Sequence, residues 1–297
     1  VGGGVRDQLL KLHPKDFDVA TDAHPHEIKK LFSNCRLIGR RFRLAHIHFG
    51  RYIIEVATFR GHSDTVCDQS NKSSQHGIIL RDNIYGTLEE DVIRRDLTVN
   101  ALYYDPIADT IIDYVGGMDD IRAKKIRLIG DPNIRYKEDP VRILRSVRFA
   151  NKLGFKIEKH TEKAIAKTRN LLEHMPPGRM FDEYQKLFLY GRGLKNYQSL
   201  IKFKLLEYLF PQIKGHMNNP KHQQLIQAAL ESTDQRIKEK QGINPGFLTA
   251  VFLWEAFVKA RNDIQAKHAK RHPARIITQE AIEQVLRAQQ QSSSSPK

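Results

Sequence analysis

The sequence predicts an α+β protein: a small mixed sheet with helices over about the first 130 residues, then an all-helical remainder. Three observations carry this expectation. Short period-two patterns typical of strands fade from about residue 131. Helical patterns dominate beyond that point. Pro and Gly punctuate them at Pro176, Pro177 and Gly178 and again at Gly191 and Gly193, with no fixed-period repeat.

The elements follow in order. Residues 1–5 are apolar and glycine-rich, and "VRDQLLKL" reads as a short helix. "KDFDVAT" alternates as a half-buried strand does, which sends Phe17 and Val19 into a core. Pro25 fits the first turn of a helix through "HEIKKLF". "RLAHIHFG" and "YIIEVATFR" are strands joined by a turn near Gly50. Residues 61–77 are polar and aperiodic, a mobile loop in which His62 and His76 are solvated rather than ligands. "LEEDVIRRDLTVNALYYD" resumes a helical pattern and runs into a strand, and "TIIDYVGGMDDI" is a strand ending in a glycine turn. Helices then cover "EDPVRILRSVRFANKLGF", "TEKAIAKTRNLLEHM", "MFDEYQKLFLY" and "NYQSLIKFKLLEYLF". "KHAKRHPAR" is a basic cluster, either a solvated face or a nucleic-acid contact, and the final "QQQSSSSPK" is low-complexity and expected to be disordered.

Forty-nine Lys and Arg against 34 Asp and Glu give a net charge of +15. That balance favours a polyanionic partner. No long basic amphipathic helix argues for a membrane surface, so nucleic acid is preferred. No apolar run approaches the roughly 20 residues of a spanning helix, and no signal peptide is visible. Cys35 and Cys67 offer neither a disulfide framework nor metal-ligand spacing. They read as free thiols in a reducing compartment, which fits a cytoplasmic location.

The chemistry centres on Asp16 and Asp18. In a strand, residues two apart share a face and lie about 6.5–7 Å apart. Two carboxylates so placed can share hard divalent cations, which suits Mg²⁺, with Mn²⁺ as the alternative. Upstream, "GGGVRD" offers Gly3 and Gly4 for close backbone approach to phosphate, with Arg6 as a charged contact. There is no G-K-[ST], so this is not a P-loop. Glu55 sits on the strand face opposite Ile54 and Val56, and becomes a third carboxylate if its strand neighbours the Asp16 strand. In "RRDLTVNAL", Asp96 and Asn100 are four apart and would share a helix face. With Arg94 and Arg95 they could bind ribose and phosphate, or simply form a salt bridge and a cap. In "EDPVRILRSVR", Pro140 fits the first helical position and Asp139 the N-cap, and Glu138 can pair with Arg142. Arg142, Arg145 and Arg148 recur every three residues, more arginine than a soluble helix needs.

In this order and spacing, "GGGVRD", "DFD", "RRDLTVNAL", "YVGGMDDI" and "EDPVRILRSVRF" resemble the class II tRNA nucleotidyltransferase and bacterial poly(A) polymerase family over about residues 1–215. The resemblance implies a polymerase-β-like nucleotidyltransferase head over 1–130. A helical neck over 131–215 would bind nucleotide and RNA, followed by a helical body and basic tail over 216–297. It places the family's metal-site acids on Asp16 and Asp18 and the third carboxylate on Glu55. The ribose-linked "RRD", marked as essential in the family, falls on Arg94, Arg95 and Asp96, which puts Asp96 with Asp16, Asp18 and Glu55 among the expected catalytic residues. The base-reading "EDxxR" falls on Glu138, Asp139 and Arg142.

Within that family, "LIGRRFRLAHI" (37–47) looks like the stretch that marks poly(A) addition. The expected reaction is in-line attack of an RNA 3′-hydroxyl on the α-phosphate of ATP with two Mg²⁺ ions. Gly3, Gly4, Arg6, Arg95, Asn100, Arg145 and Arg148 would help hold the nucleotide. RNA 3′ ends and ATP are the expected partners, with RNA-decay or processing proteins beside them and no membrane. Two alternatives stand: CCA addition to tRNA, and a non-catalytic RNA-binding protein.

Overall fold

The computed structural model describes residues 1–14, 16–39, 43–61, 84–216, 219–268 and 273–292. The expected loop at 61–77, with His62, Cys67 and His76, therefore lies outside the described residues apart from Gly61. So do Arg40, Arg41 and Phe42 in "LIGRRFRLAHI", residues 269–272 of the basic cluster, and the end at 293–297.

The expected α+β class holds. Helix α1 (Gly3–Leu9) is followed by β1 (Asp18–Thr21), α2 (Pro25–Leu31), β2 (Cys35–Ile38), β3 (Leu44–Phe49) and β4 (Tyr52–Thr58). The strands form one sheet in the order β1-β4-β3-β2. β1 runs parallel to β4, and the other pairs are antiparallel. Gly50, at φ 60, supplies the turn that sets Phe49 opposite Tyr52. Pro25 opens α2, and the Glu27 carboxylate accepts the His24 backbone N–H at 2.7 Å. Ile28 of α2 packs with Cys35, Ala45, Ile47 and Val56 against one sheet face. Cys35 is thus a buried free thiol.

Next come α3 (Leu88–Ile93), the hairpin β5 (Tyr103–Asp105) and β6 (Thr110–Ile112), α4 (Gly117–Arg122), β7 (Lys125–Ile126) and α5 (Pro132–Glu138). α6 (Val141–Leu153) follows, then β8 (Lys156–Ile157), which pairs parallel with β7, and α7 (Lys159–Thr168). Val92, Ala101, Tyr103 and Ile129 form a second core that Ala20 of β1 joins. The sheet therefore has apolar partners on one face and, at the β1 end, on the other.

The motif "YVGGMDDI" has a packing reason. Asp113 accepts the backbone N–H groups of Val115, Gly117 and Met118 at 2.8–3.1 Å, which starts α4. A Cβ on Gly117 would lie 2.4 Å from the Thr98 carbonyl oxygen. Only glycine lets α4 approach that backbone. Gly117→Ala is expected to cost roughly 2 kcal/mol by overpacking, read from a urea melt; an unchanged midpoint would refute the close approach.

The remaining helices are α8 (Pro177–Phe188), α9 (Gly193–Lys202), α10 (Leu206–Leu209), α11 (Pro220–Lys238), α12 (Pro245–Phe252), α13 (Trp254–His268) and α14 (Ala274–Ser292). The stretch "NYQSLIKFKLLEYLF" is split between α9 and α10, because Lys204 takes a positive φ of 55° that no helix continues through. Tyr184, Phe188, Tyr197, Phe210 and Phe252 build an aromatic core here, with Phe210 and Phe252 stacked at 4.4 Å. No helix among the described residues is long and apolar enough to cross a membrane.

The chain divides into two compact units, Val1–Arg142 with Gly154–Ala164, and Ile143–Leu153 with Ile165–Lys297.

Candidate active site

β1 and β4 place the acids. Asp18 is the parallel register partner of Glu55, Glu55 is opposite His46 on β3, and His46 is opposite Arg36 on β2. Opposed residues share a sheet face. Asp18, Glu55, His46 and Arg36 therefore form one row across all four strands, on the face away from α2. The condition set for Glu55 is met: its strand neighbours that of Asp18. His46 Nε2 lies 3.2 Å from Glu55 Oε2.

Two expectations about this strand need correcting. β1 begins at Asp18, so Asp16 precedes the strand and strand alternation does not orient it. Phe17 and Val19 are not buried; they are 55% and 44% exposed. Phe17 precedes the strand, and Val19 lies on β1, which among the described residues is an edge strand paired with β4 alone.

The glycine turn lies against the acids. A Cβ on Gly4 would sit 3.4 Å from both the Asp16 carbonyl oxygen and the Phe17 ring. Gly2 has φ 63 and donates its N–H to the Leu102 carbonyl at 2.8 Å, and α1 starts at Gly3. Arg6 is a correction. It is 2% exposed, with its guanidinium on the Asp7 carboxylate (2.6 and 2.8 Å) and on Asn100 Oδ1. A buried guanidinium must be paired, and these partners make Arg6 a brace between α1 and Asn100 rather than a phosphate contact.

"RRDLTVNAL" is not one helix. α3 stops at Ile93, Leu97 bridges to Leu128, and a 3-10 turn spans Thr98–Asn100. Asp96 and Asn100 therefore do not share a helix face. Arg135 explains the stop: one guanidinium nitrogen donates to the carbonyls of Ile93, Arg94 and Arg95 at 2.7–3.4 Å. Arg94 and Arg95 both turn back onto Asp91, at 2.8 and 3.0 Å. The Tyr103 hydroxyl also donates to Asp91, and Arg95 Nε reaches Tyr103 at 2.8 Å. Burial pushes the Asp91 carboxyl up, but Arg94, Arg95 and Tyr103 outweigh it and hold it below the usual range. Burial, with Asp91 alongside, raises the Tyr103 hydroxyl. Asp96 is 8% exposed and accepts the Leu97 N–H at 2.7 Å.

The donor set suits a hard cation, since Asp16, Asp18 and Glu55 offer carboxylate oxygens on residues that are exposed or half-buried. Among the described residues no three His, Cys, Asp or Glu side chains converge as a metal-binding group. Mg²⁺ commonly takes one or two carboxylates and completes its shell with water and substrate phosphate. Asp18 with Glu55 fits that pattern.

Comparisons with known proteins identify the family. The family described as "Poly A polymerase head domain" matches residues 1–127, and that described as "Probable RNA and SrmB-binding site of polymerase A" matches 154–217. Poly(A) polymerase I of Haemophilus influenzae is 52% identical over 259 residues, covering 86% of this chain and 57% of its own. The chain belongs to the poly(A) polymerase family. A CCA-adding enzyme of Bacillus subtilis is 40% identical over 70% of this chain and 50% of its own. The chain spans a little over half the length of the poly(A) polymerases it matches. A solved tRNA-processing enzyme in an apo form shares the fold, with a TM-score of 0.68 and 26% identity over 95% of this chain and 71% of that one.

In this poly(A) polymerase family chain the "EDxxR" stretch forms the junction of α5 and α6. Asp139 Oδ1 accepts the Val141 N–H at 3.3 Å, the capping role expected of it. Glu138 binds Arg135 and Arg142, both at 2.8 Å. From Val141 to Ala150 every residue except Arg142, Arg145 and Arg148 is buried, and these three arginines are partly buried. Arg148 is tied to the buried Glu183 of α8 at 3.3 Å and lies over the Phe149 ring at 4.5 Å. Asp91, Tyr103, Arg135, His46 and Glu183 were not singled out from the sequence. For Arg135 and Glu183 the local i,i+3 pairs with Glu138 and Lys186 do not reveal the distant partners, Arg95 and Arg148, which are 40 and 35 residues away.

Proposed function

We propose that this chain transfers AMP from ATP to RNA 3′-hydroxyls in the cytoplasm. The observation that carries this is the parallel pairing of β1 with β4, which sets Asp18 beside Glu55. The "LIGRRFRLAHI" stretch and the 52% identity to a poly(A) polymerase support ATP and RNA as substrates over CCA addition. Residues 1–130 would be the catalytic head, 131–215 the neck and 216–297 the body and tail.

In the reaction the 3′-oxygen attacks the α-phosphorus of ATP, a new P–O bond forms, and the bond to the β-phosphate oxygen breaks to release pyrophosphate. Glu55 would orient the hydroxyl by accepting its hydrogen. Asp16 and Asp18 would hold Mg²⁺, or Mn²⁺ in its place, which when bound offsets the charge of the triphosphate and leaving pyrophosphate. Gly3 and Gly4 would receive the phosphates through backbone N–H groups, with Arg6 and Asn100 fixing that turn. Arg95 and Asp96 would shape the ribose site, and Asp139 and Arg142 the base site. Arg145 and Arg148 extend the basic stripe toward RNA.

Incubation with a non-tRNA oligoribonucleotide and ATP or CTP separately tests this. Extension with ATP alone is expected. Extension that needs tRNA and starts with CTP would favour CCA addition, and no pyrophosphate release with either would favour an RNA-binding protein. Binding should weaken steeply with salt, about tenfold or more between 50 and 200 mM if several phosphates are contacted.

A further inference from the structure

The row of polar residues across the sheet contains two groups that the reaction above does not use, His46 and Arg36, and His46 is the one beside Glu55. His46 is 21% exposed and lies opposite Glu55 in register, with Nε2 3.2 Å from Oε2. An ionised carboxylate only accepts, so Nε2 carries the proton and donates. Among the described residues this is the one hydrogen bond of the Glu55 carboxylate, whose side chain is 41% exposed. A glutamate has three side-chain torsions, and ordering it costs up to about 1.5–2 kcal/mol. The adjacent strand holds it instead. Neighbours that orient a reacting or ligating carboxylate work in this way.

We propose that His46 is a positioning residue: it pins Glu55 by Oε2 and leaves Oε1 for the incoming 3′-hydroxyl or for a bound cation. This rests on the adenylyl-transfer reading and names a determinant within that site. His46 acts only through Glu55, so its effect must vanish when Glu55 is absent.

The experiment is steady-state ATP-dependent extension of an RNA oligonucleotide by the full chain, with thermal melts alongside. His46→Leu keeps bulk without a donor and is expected to lower kcat about 10- to 100-fold, with KM for ATP changed less than about twofold. His46→Gln keeps an amide donor at a similar reach and is expected within about threefold of wild type. His46→Asn withdraws the donor by one methylene and should be as slow as leucine. It stands in for leucine should that variant fail to fold. In a Glu55→Ala background, His46→Leu is expected to change kcat less than about twofold. Wild-type kcat in the leucine and asparagine variants, a glutamine variant as slow as leucine, or losses that multiply in the double mutant would each overturn the proposal. A wild-type chain that extends no primer would instead overturn adenylyl transfer itself, and this role for His46 with it.

Discussion

Replacing Asp18 with alanine is expected to reduce ATP-dependent extension by about a thousandfold or more, some 4 kcal/mol of transition-state stabilisation. The size follows from what the residue would do. Phosphoryl transfer offers the protein little covalent chemistry, so positioning and charge compensation supply most of the rate. Losing one of two adjacent carboxylates removes an oxygen ligand and a negative charge together. Asp18→Asn should fall nearly as far, since an amide keeps the shape but not the charge. Asp16→Ala should behave similarly, because the glycine turn packs directly on its backbone. None of these changes should disturb folding. Both aspartates are exposed, and such substitutions usually stay within about 0.5 kcal/mol. Filter binding should show RNA affinity largely retained. Extension by the Asp16→Ala, Asp18→Ala double variant at a wild-type rate would refute the assignment.

Asp91→Ala is expected to destabilise the first unit by about 3–4 kcal/mol, measured by denaturant unfolding. Asp91 is 2% exposed, and it receives Arg94, Arg95 and Tyr103. Its removal strands two guanidinium groups and a hydroxyl around one buried point. The effect has a definite pH sign. The folded carboxyl sits below its ordinary value, so the unfolded chain takes up a proton first as pH falls. The stabilisation is full above the unfolded carboxylate range near about pH 4 and is lost as pH drops through the lower folded value. Asp91→Asn should lack this acid-limb dependence. An Asp91→Asn variant that unfolds in acid along the wild-type curve would show that another group governs it. Activity should drop with stability, because the same arginines form the turn that carries Asp96 and Asn100.

Much of the site was legible because its signals are local. The strands around Gly50 are periodic, and the acids in "DFD" and "IIEVATFR" stand at recognisable places in them. His46 was within reach by the same logic. A two-residue turn sets Phe49 opposite Tyr52, and three steps back along each arm set His46 opposite Glu55. What stayed hidden depends on the order of strands and on distant partners. Phe17 and Val19 look like core residues until the strand proves to begin after Phe17 and to lie at the edge of the described sheet. Arg6 looks like a phosphate ligand until Asn100, 94 residues away, receives it. "RRDLTVNAL" has the composition of a helix, yet Arg135 gathers the carbonyls at Ile93, Arg94 and Arg95 and ends the helix there. Helix propensity is weak against such tertiary contacts.

The division into units has a consequence for synthesis. The chain leaves the first unit within the opening turn of α6, and returns to it at Gly154 before leaving again within α7. The strand β8, which completes the pairing of β7, belongs to that return. A ribosome that has released only residues 1–142 has therefore not released the whole first unit. The first unit can close only after α6, a helix of the second, has already been made. Gene fragments cut at residue 142 should yield a first unit with β7 unpaired, whereas fragments carried through residue 164 supply every segment of that unit.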